Sequence, residues 1–209
     1  MVSELAARGH DAVAVALPAG DDRAGWVEYA DAVVAAIGDR EEVIVVAHSL
    51  GGFGAPIACA RAKVDLLVLV NAMIPRPDET GGAWWSSTKA SAAHRECLAS
   101  LGFSAADAQD DDVVYYHDLP PEIAAEARRR PTVQSATPMD RPWPLAAWPP
   151  VRTRVLVGRD DRLFPAAMQR RVARERLGIE ADEIAGGHMI ALSRPRELAD
   201  RLEAYRRGE

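Results

Sequence analysis

The fold of this chain is decided by residues 43–54, which read VIVVAHSLGGFG. An apolar, largely β-branched run ends abruptly in small-His-Ser-x-Gly-Gly, and a segment compatible with a helix follows. This order predicts a nucleophile elbow, a tight strand-to-helix turn that exposes one serine, here Ser49. Such a strained turn needs small neighbours, and Ala47 and Gly51 provide them on either side. The helix predicted from Leu50 would direct its free N–H groups toward Ser49.

A second interpretation of the same residues is an ordinary strand-to-helix turn whose serine has no catalytic role. Glycine-rich turns of this kind are common, so the motif alone leaves both interpretations open. Residues elsewhere must decide between them. A serine hydroxyl becomes a good nucleophile only when a base removes its proton and a carboxylate orients that base.

Length and composition predict one globular domain without a nucleic-acid or membrane partner. The chain has 209 residues, 48% hydrophobic and 27% charged, which is enough for a full core and an inserted subdomain. A net charge of −6 argues against nucleic-acid binding. No apolar run approaches the ~20 residues of a membrane span, and the first residues lack the pattern of a signal peptide. A cytoplasmic location is therefore expected, and a homodimer is left open.

No metal or cofactor is expected from the sequence. Cys59 and Cys97 give neither a disulfide framework nor metal-ligand spacing. His10, His94 and His117 also lack the spacing of metal ligands. The glycine-rich turn lacks the Gly-Lys-Ser/Thr ending of a phosphate loop, so no nucleotide is predicted.

The rest of the chain alternates apolar strands with amphipathic helices, which predicts a parallel sheet. The expected strands are 13–17, 43–46, 65–70, 153–157 and 180–184, and the expected helices are 22–37, 50–62, 165–177 and 195–206. Between about residues 75 and 150 the pattern breaks, prolines and tryptophans accumulate, and helices are expected at 86–98 and 121–130. This predicts a core of residues 1–74 and 151–209 with an inserted cap subdomain at 75–150.

Two further polar groups follow predicted strands, where the loops of an open α/β sheet surround the ligand crevice. Asp160 and Asp161 follow one strand, and His188 follows the next. Taken singly, the aspartates could cap the next helix and His188 could be an ordinary loop histidine. Taken with Ser49, they give the chain order Ser…Asp…His of a catalytic triad.

With these residues the chain resembles the α/β-hydrolases, and within them it is similar to the plant methylesterase and hydroxynitrile-lyase group and its bacterial relatives. The resemblance rests on AHSLGG at 47–52, GRDDRLFP at 158–165 and GGHMIALSRP at 186–195, and it extends to about residue 206. It implies an α/β fold with a mostly parallel sheet, flanking helices and an inserted helical cap. It is far more specific for the fold than for the substrate.

The resemblance also implies roles for individual residues. Ser49 matches the nucleophile, His188 the base and Asp161 the acid, with Asp160 as the fallback, and the backbone N–H of Leu50 matches one oxyanion donor. The cap is expected to shape the substrate pocket, and its candidate lining residues are Trp84, Trp85, Tyr115, Tyr116 and Met139. Aromatic residues in a cap can equally pack its own core.

Met189 favours ester hydrolysis over cyanide elimination. In the similar lyases a lysine directly follows the catalytic histidine and can hold the leaving cyanide, whereas Met189 follows His188 here. A cation is therefore missing where a developing anion would need it. No catalytic role is predicted for His48, because the position before the nucleophile is variable.

The N-terminus departs from the family pattern. Similar proteins begin with two or three strands, and a His-Gly-type loop after the third strand supplies the second oxyanion donor. This chain begins within the next helix, whose end matches residues 3–11, so a central strand and one donor are expected to be missing. Losing such a donor costs on the order of 3 kcal/mol in transition-state stabilisation. An internal start at Met1 and a degenerate paralogue are the two explanations.

The sequence therefore predicts a serine hydrolase that cleaves a small carboxylic ester through an acyl-enzyme, without a cofactor. One alternative is a vestigial or non-catalytic binding protein of the same fold, which the missing oxyanion loop would explain. A lyase or a cofactor-free ester-forming enzyme on the same scaffold is the other.

Overall fold

The computed structural model describes residues 1–130 and 133–209. Its centre is a parallel sheet of four strands in the order β1 (Ile44–His48), β2 (Leu66–Val70), β3 (Thr153–Gly158) and β4 (Asp182–Ile184). The helices are α1 (Val2–Ala6), α2 (Trp26–Ile37), α3 (Gly51–Cys59), α4 (Gly81–Ser87), α5 (Ala90–Ser100), α6 (Asp111–Val114), α7 (Pro121–Arg129), α8 (Thr137–Asp140), α9 (Ala166–Leu177), α10 (Ile190–Ser193) and α11 (Pro195–Arg207). The predicted α/β class with a parallel sheet is confirmed.

Strand β2 forms the centre of the core because it has a neighbour on each side and helices on each face. All five of its residues are apolar and at most 2% exposed. Leu67 and Leu69 belong to a cluster with residues of α2, α3 and α9, whereas Leu66, Val68 and Val70 pack with α10 and α11. A continuous apolar run, rather than an alternating one, is typical of a strand buried on both faces.

Because all four strands are parallel, their carboxyl ends meet at one edge of the sheet. His48 pairs with Val70, and Val70 in turn pairs with Leu156. Gly158, the last residue of β3, pairs with Ile184 at the end of β4. The loops that follow the strands therefore come together there, as the sequence predicts for Ser49, Asp161 and His188.

The strand predicted at residues 13–17 is wrong. The segment has no regular structure, and Val13 and Leu17 are 53% and 38% exposed. A strand needs a hydrogen-bonded neighbour, and among the described residues β1 pairs only with β2. Apolar composition identified a segment suited to a sheet but could not show whether a partner strand lies beside it.

Residues 71–152, the β2–β3 connection, contain helices α4 to α8 and, where the structure describes them, no strand. The helix predicted at 86–98 is two helices, because Lys89 adopts a left-handed conformation (φ 57°) between α4 and α5. The helix predicted at 121–130 is found as α7. Residues 131 and 132 lie outside the described residues, and the role of residues 75–150 as a cap stays a prediction.

Buried tryptophan side chains attach the β2–β3 connection to the sheet and its helices. The indole N–H of Trp143 donates to the carbonyl oxygen of Phe53 in α3 (2.9 Å), and that of Trp26 in α2 donates to Arg141 (3.0 Å). A buried ion pair joins Glu79 to Arg176 of α9. Burial raises the pKa of Glu79, but hydrogen bonds from Arg176 outweigh this effect and hold the pKa below its usual value.

No described helix is long and apolar enough to cross a membrane.

Candidate active site

Ser49 occupies the turn between β1 and α3 in a conformation that few residues adopt. Its φ is 52°, in the left-handed region that costs a residue with a Cβ atom conformational energy. Hydrogen bonds to the neighbouring strand hold it there: its N–H donates to Val70 (3.3 Å), and its carbonyl oxygen accepts from Met73 (2.9 Å). Ser49 as a residue is partly exposed. This is the geometry that the predicted elbow requires.

Gly52, not Gly51, is the position at which the elbow needs glycine. A Cβ atom on Gly52 would overlap the carbonyl oxygen of Met73, which belongs to the β2–β3 connection. A Cβ atom on Gly51 would lie 3.7 Å from the Cβ atom of Ala47, which is an ordinary contact. The expectation that Gly51 must be small is therefore corrected. The tight approach is between the first turn of α3 and the chain after β2.

Ser49, His188 and Asp161 form a continuous hydrogen-bonded chain. His188 Nε2 lies 3.0 Å from Ser49 Oγ, and His188 Nδ1 lies 2.8 Å from Asp161 Oδ2. Because a carboxylate only accepts, the Nδ1 atom carries the proton, and the lone pair of Nε2 faces the hydroxyl. Asp161 and His188 are each 2% exposed, so the base and acid are buried, whereas Ser49 as a residue is partly exposed.

The neighbouring carboxylates, Asp160 and Asp161, have different environments. Asp161 Oδ1 accepts the backbone N–H groups of Leu163 and Phe164, both at 2.9 Å, which fixes the carboxylate against His188. Asp160 is exposed and accepts the N–H of Gly186 (3.0 Å) instead. The structure therefore places Asp161 beside the histidine, and the fallback Asp160 supports the loop that carries it.

The backbone N–H of Leu50 is available to a ligand. Leu50 directly precedes α3, and its N–H donates to no acceptor among residues 1–130 and 133–209. Free N–H groups in the first turn of a helix, together with the helix dipole, favour an anion beside Ser49. The role of this group as an oxyanion donor stays a prediction.

A comparison with protein families gives a match over most of the chain. The sequence pattern of the alpha/beta hydrolase family matches residues 1–201. The chain belongs to the alpha/beta hydrolase family. Among curated protein sequences, none matches it.

Solved structures similar to this alpha/beta hydrolase include an esterase and two hydrolases. Polyneuridine aldehyde esterase has a TM-score of 0.75 at 18% identity, with 98% of this chain and 91% of that chain covered. A pyrethroid hydrolase from Sphingobium faniae JZ-2 has a TM-score of 0.68 at 20% identity, with 98% and 89% covered. An extracellular alpha/beta-hydrolase from a Paenibacillus species has a TM-score of 0.72 at 16% identity, with 97% and 90% covered. At these identities the likeness is one of fold.

The candidate substrate-binding residues of this alpha/beta hydrolase separate into two groups. Trp84 is 1% exposed and its indole N–H donates to the carbonyl oxygen of Ile74 (3.0 Å), so it packs in the core, and its role as a substrate contact stays a prediction. Met139 packs against Gly81 at the start of α4. Trp85 and Tyr115 do line a cavity, of about 440 Å³.

Tyr115 connects this cavity to the catalytic candidates. Its ring meets the imidazole of His188 edge-on with centroids 5.6 Å apart, and Phe164 meets the same imidazole at 5.3 Å. Neither Ser49 nor His188 itself lines the cavity. Burial raises the pKa of the Tyr115 phenol, so the side chain is neutral near pH 7. Tyr116, also a candidate, lies against the guanidinium of Arg128.

Two polar residues at the edge of the sheet were missed as functional candidates. His48 Nε2 lies 2.8 Å from the carbonyl oxygen of His188. Asn71, fully buried directly after β2, donates from Nδ2 to the carbonyl oxygens of Gly187 (3.1 Å) and His188 (3.0 Å). A signal was present for Asn71, because a polar residue that ends a wholly apolar strand stands at the ligand edge of the sheet.

The β2–β3 connection also contacts the loop that carries His188. Asp118 Oδ2 accepts the backbone N–H of Gly187 at 2.8 Å. A Cβ atom on Gly187 would collide with the side chains of His117 and Asp118, so glycine permits this close approach. Among the residues that the structure describes, no group of three or more His, Cys, Asp or Glu side chains is placed to hold a metal ion.

Proposed function

We propose that this alpha/beta hydrolase cleaves a small carboxylic ester through a Ser-His-Asp relay and an acyl-enzyme. The observation that carries the proposal is the chain of hydrogen bonds from Ser49 Oγ to His188 (3.0 Å) and from His188 to Asp161 (2.8 Å). An esterase and a hydrolase are among the named proteins of similar structure, which supports this reaction class.

In the acylation step, Ser49 Oγ attacks the ester carbonyl carbon while His188 Nε2 takes the hydroxyl proton. The carbonyl oxygen becomes an oxyanion, and the N–H of Leu50 donates to it. Asp161 stabilises the imidazolium that forms. The imidazolium then gives its proton to the leaving alkoxide, and the alcohol departs from the acyl-enzyme.

Deacylation repeats the same relay with water as the nucleophile. His188 Nε2 takes a proton from water as the water oxygen attacks the acyl carbon, and the proton then passes to Ser49 Oγ. The acid product leaves and the serine hydroxyl is restored. Each step uses the one lone pair of Nε2, which the carboxylate of Asp161 keeps available by holding the proton on Nδ1.

The cavity beside Tyr115 is the proposed site for one substituent of the ester. Its volume of about 440 Å³ is within the range of small-molecule pockets. Trp85, Tyr115 and Leu163 give it an apolar wall, and Arg95 and Asp111 add charged groups. Ser91, His94 and Gln109 also line the cavity, so we infer a small substrate whose group at this end has both apolar and polar atoms.

The test is hydrolysis of p-nitrophenyl acetate by the parent protein and by Ser49→Ala. We expect the variant to lose at least about a thousandfold in kcat, because removal of the nucleophile leaves only binding and oxyanion stabilisation. Ser100→Ala, at the exposed end of α5, is the matched control and is expected to keep the parent rate. Equal rates for the parent and Ser49→Ala would overturn the proposal.

A non-catalytic binding protein is the second candidate, because Leu50 is the one oxyanion donor assigned among the described residues and Ser49 does not line the cavity. A fluorophosphonate probe separates the two. Covalent labelling that is lost in Ser49→Ala supports the enzyme. An unlabelled parent that still binds small aromatic esters supports the binding protein.

A further inference from the structure

The loop that carries His188 is held by hydrogen bonds to its backbone carbonyl groups. The carbonyl oxygen of Gly186 accepts from the backbone N–H of Asp160 (3.0 Å). The next two carbonyl oxygens, of Gly187 and His188, accept from the side chains of Asn71 and His48. Side-chain donors, rather than backbone N–H groups, therefore bind the carbonyl oxygens of His188 and of the residue before it.

Both lone pairs of the His188 carbonyl oxygen are used. His48 Nε2 donates from 2.8 Å and Asn71 Nδ2 donates from 3.0 Å. Because the acceptor is a carbonyl oxygen, His48 must carry its proton on Nε2. Two donors from different elements, one at the end of β1 and one after β2, fix this oxygen in position more firmly than one would.

Asn71 has a strained backbone conformation and hydrogen bonds to three parts of the site. Its φ is 46°, a left-handed conformation that Asn tolerates better than most residues, and it is fully buried. Its Oδ1 atom accepts the N–H of Gly158 at 2.6 Å and lies 3.3 Å from Gln169 Nε2. Gln169 Nε2 also lies 3.2 Å from Asp161 Oδ2. Gln169 Nε2 is closest to the carbonyl oxygen of Phe164 (2.5 Å), and the Gln169 side chain lies between the amide of Asn71 and the acid.

We propose that His48 and Asn71 are positioning residues that hold the backbone of His188, so that its imidazole stays between Ser49 and Asp161. The inference rests on the proposed function, since it assigns these residues to the same relay. Proton transfer demands this accuracy, because a misplacement of about 1 Å can cost about a hundredfold in rate.

His48 performs this role as a neutral group. Burial, with the charge of a protonated His188 second, lowers the pKa of His48 to about 4. The two imidazole centroids are 4.8 Å apart, so a charged His48 would oppose formation of the His188 imidazolium. A neutral N–H donor holds the carbonyl oxygen without that penalty.

The decisive comparison is between His48→Gln and His48→Phe. The side-chain amide of glutamine can place its nitrogen near the position of the imidazole Nε2 atom, whereas phenylalanine keeps a ring and removes the donor. We expect kcat of His48→Phe to fall about tenfold with KM within about twofold of the parent, and His48→Gln to stay within about threefold in both. His10→Phe, on a histidine that contacts Glu203 of α11, is the matched control and is expected to keep the parent rate.

A proton NMR measurement tests the same inference without turnover. The His188 Nδ1 proton, held by Asp161, is expected to give a downfield resonance that is absent in Asp161→Asn. We expect that resonance to broaden or shift in His48→Phe and to persist in His48→Gln. Equal thermal midpoints for the two variants show that a fall in kcat is not a loss of folded protein.

Asn71→Asp supplies a second, larger perturbation. Aspartate keeps the size, the tolerance of a left-handed backbone and the oxygen that accepts from Gly158, but it turns a carboxylate oxygen toward two carbonyl oxygens. We expect about a hundredfold lower kcat with KM little changed. If this variant does not fold, the His48 series decides the question.

The inference is overturned if His48→Phe keeps both the parent kcat and the His188 resonance, or if His48→Gln is as impaired as His48→Phe. Failure of the proposed function has a different signature. In that case Ser49→Ala matches the parent in p-nitrophenyl acetate hydrolysis, while the NMR comparison still reports whether His48 positions His188.

Discussion

The loops at the carboxyl ends of the strands and the β2–β3 connection are stabilised by different interactions. Buried hydrogen bonds fix the loops: Asp161 accepts two backbone N–H groups, and Asn71 donates to two carbonyl oxygens. The connection beyond Asn71 depends mainly on buried tryptophans, since Trp84 and Trp143 are each 1% exposed and their indole N–H groups donate to backbone carbonyl oxygens. Hydrogen bonds specify direction, whereas apolar contacts specify volume. Substitutions in the loops should therefore change the rate, and those in the connection should change stability or binding.

The largest effect is expected when each of the two adjacent aspartates is neutralised in turn, which tests whether the loop hydrogen bonds control the rate. Asp161→Asn is expected to lower kcat about 10⁴-fold with little loss of stability, because an amide donating to His188 Nδ1 forces the wrong tautomer. Asp160→Asn, the matched control, is expected to stay within about fivefold, since Asp160 contacts Gly186 and not the imidazole. Both are measured as steady-state rates on p-nitrophenyl acetate, and comparable losses would mean that the acid is not Asp161 alone.

Replacing the adjacent tryptophans Trp84 and Trp85 tests whether the β2–β3 connection controls stability and binding. Trp84→Ala is expected to lower the free energy of unfolding by about 3–5 kcal/mol, because it removes a fully buried ring and one of the two donors to the Ile74 carbonyl oxygen. Trp85→Ala, in the cavity wall, is expected to raise KM about tenfold and to cost less stability. Urea unfolding and steady-state kinetics measure the two effects, and a larger stability loss in Trp85→Ala would reverse our assignment.

The two glycines after Ser49 test the contact between the regions. We expect Gly52→Ala to cost about 2–3 kcal/mol of stability, because its Cβ atom would overlap the Met73 carbonyl oxygen. Gly51→Ala is expected to be neutral or slightly stabilising, since its Cβ atom would make an ordinary contact at 3.7 Å. Thermal unfolding of both variants measures the difference, and equal midpoints would show that the close approach relaxes without cost.

The smallest expected effect is a pH dependence of stability that comes from His48. Its pKa is about 4 in the folded chain and near 6.5 when unfolded, so between these values the unfolded state binds the extra proton. Stability therefore rises with pH across this window and is lost as the pH falls through it. His48→Gln should remove a contribution on the order of 2 kcal/mol from that loss, measured by urea unfolding at about pH 7 and about pH 4.5. Parallel pH curves for parent and variant would contradict it.

The sequence predicted the sheet best where strands are buried on both faces and followed by motifs. Strand β2 and the order of Ser49, Asp161 and His188 could be read because a continuous apolar run and a strained turn each have a distinct residue pattern. Residues 13–17 have the same apolar pattern, but whether a segment becomes a strand depends on a neighbour that no local pattern reports.

Adjacent residues show what sequence alone could not decide. Trp84 and Trp85 are chemically identical, and only the direction of each side chain from α4 sends one to the core and the other to the cavity. Gly51 and Gly52 differ in the same way, because only Gly52 faces the chain after β2. The roles of His48 and Asn71 depend on a carbonyl oxygen more than a hundred residues away along the chain.

The hydrogen bond from the N–H of Gly187 to Asp118 makes the two regions mechanically continuous. Asp118 belongs to the β2–β3 connection, and Gly187 directly precedes the proposed base. Any displacement of Asp118 must therefore carry Gly187 with it or break that hydrogen bond. The segment that contributes the cavity wall and the loop that carries the proposed base are therefore coupled through this hydrogen bond as well as through Asn71. A ligand that displaces the wall would also act on the backbone beside His188.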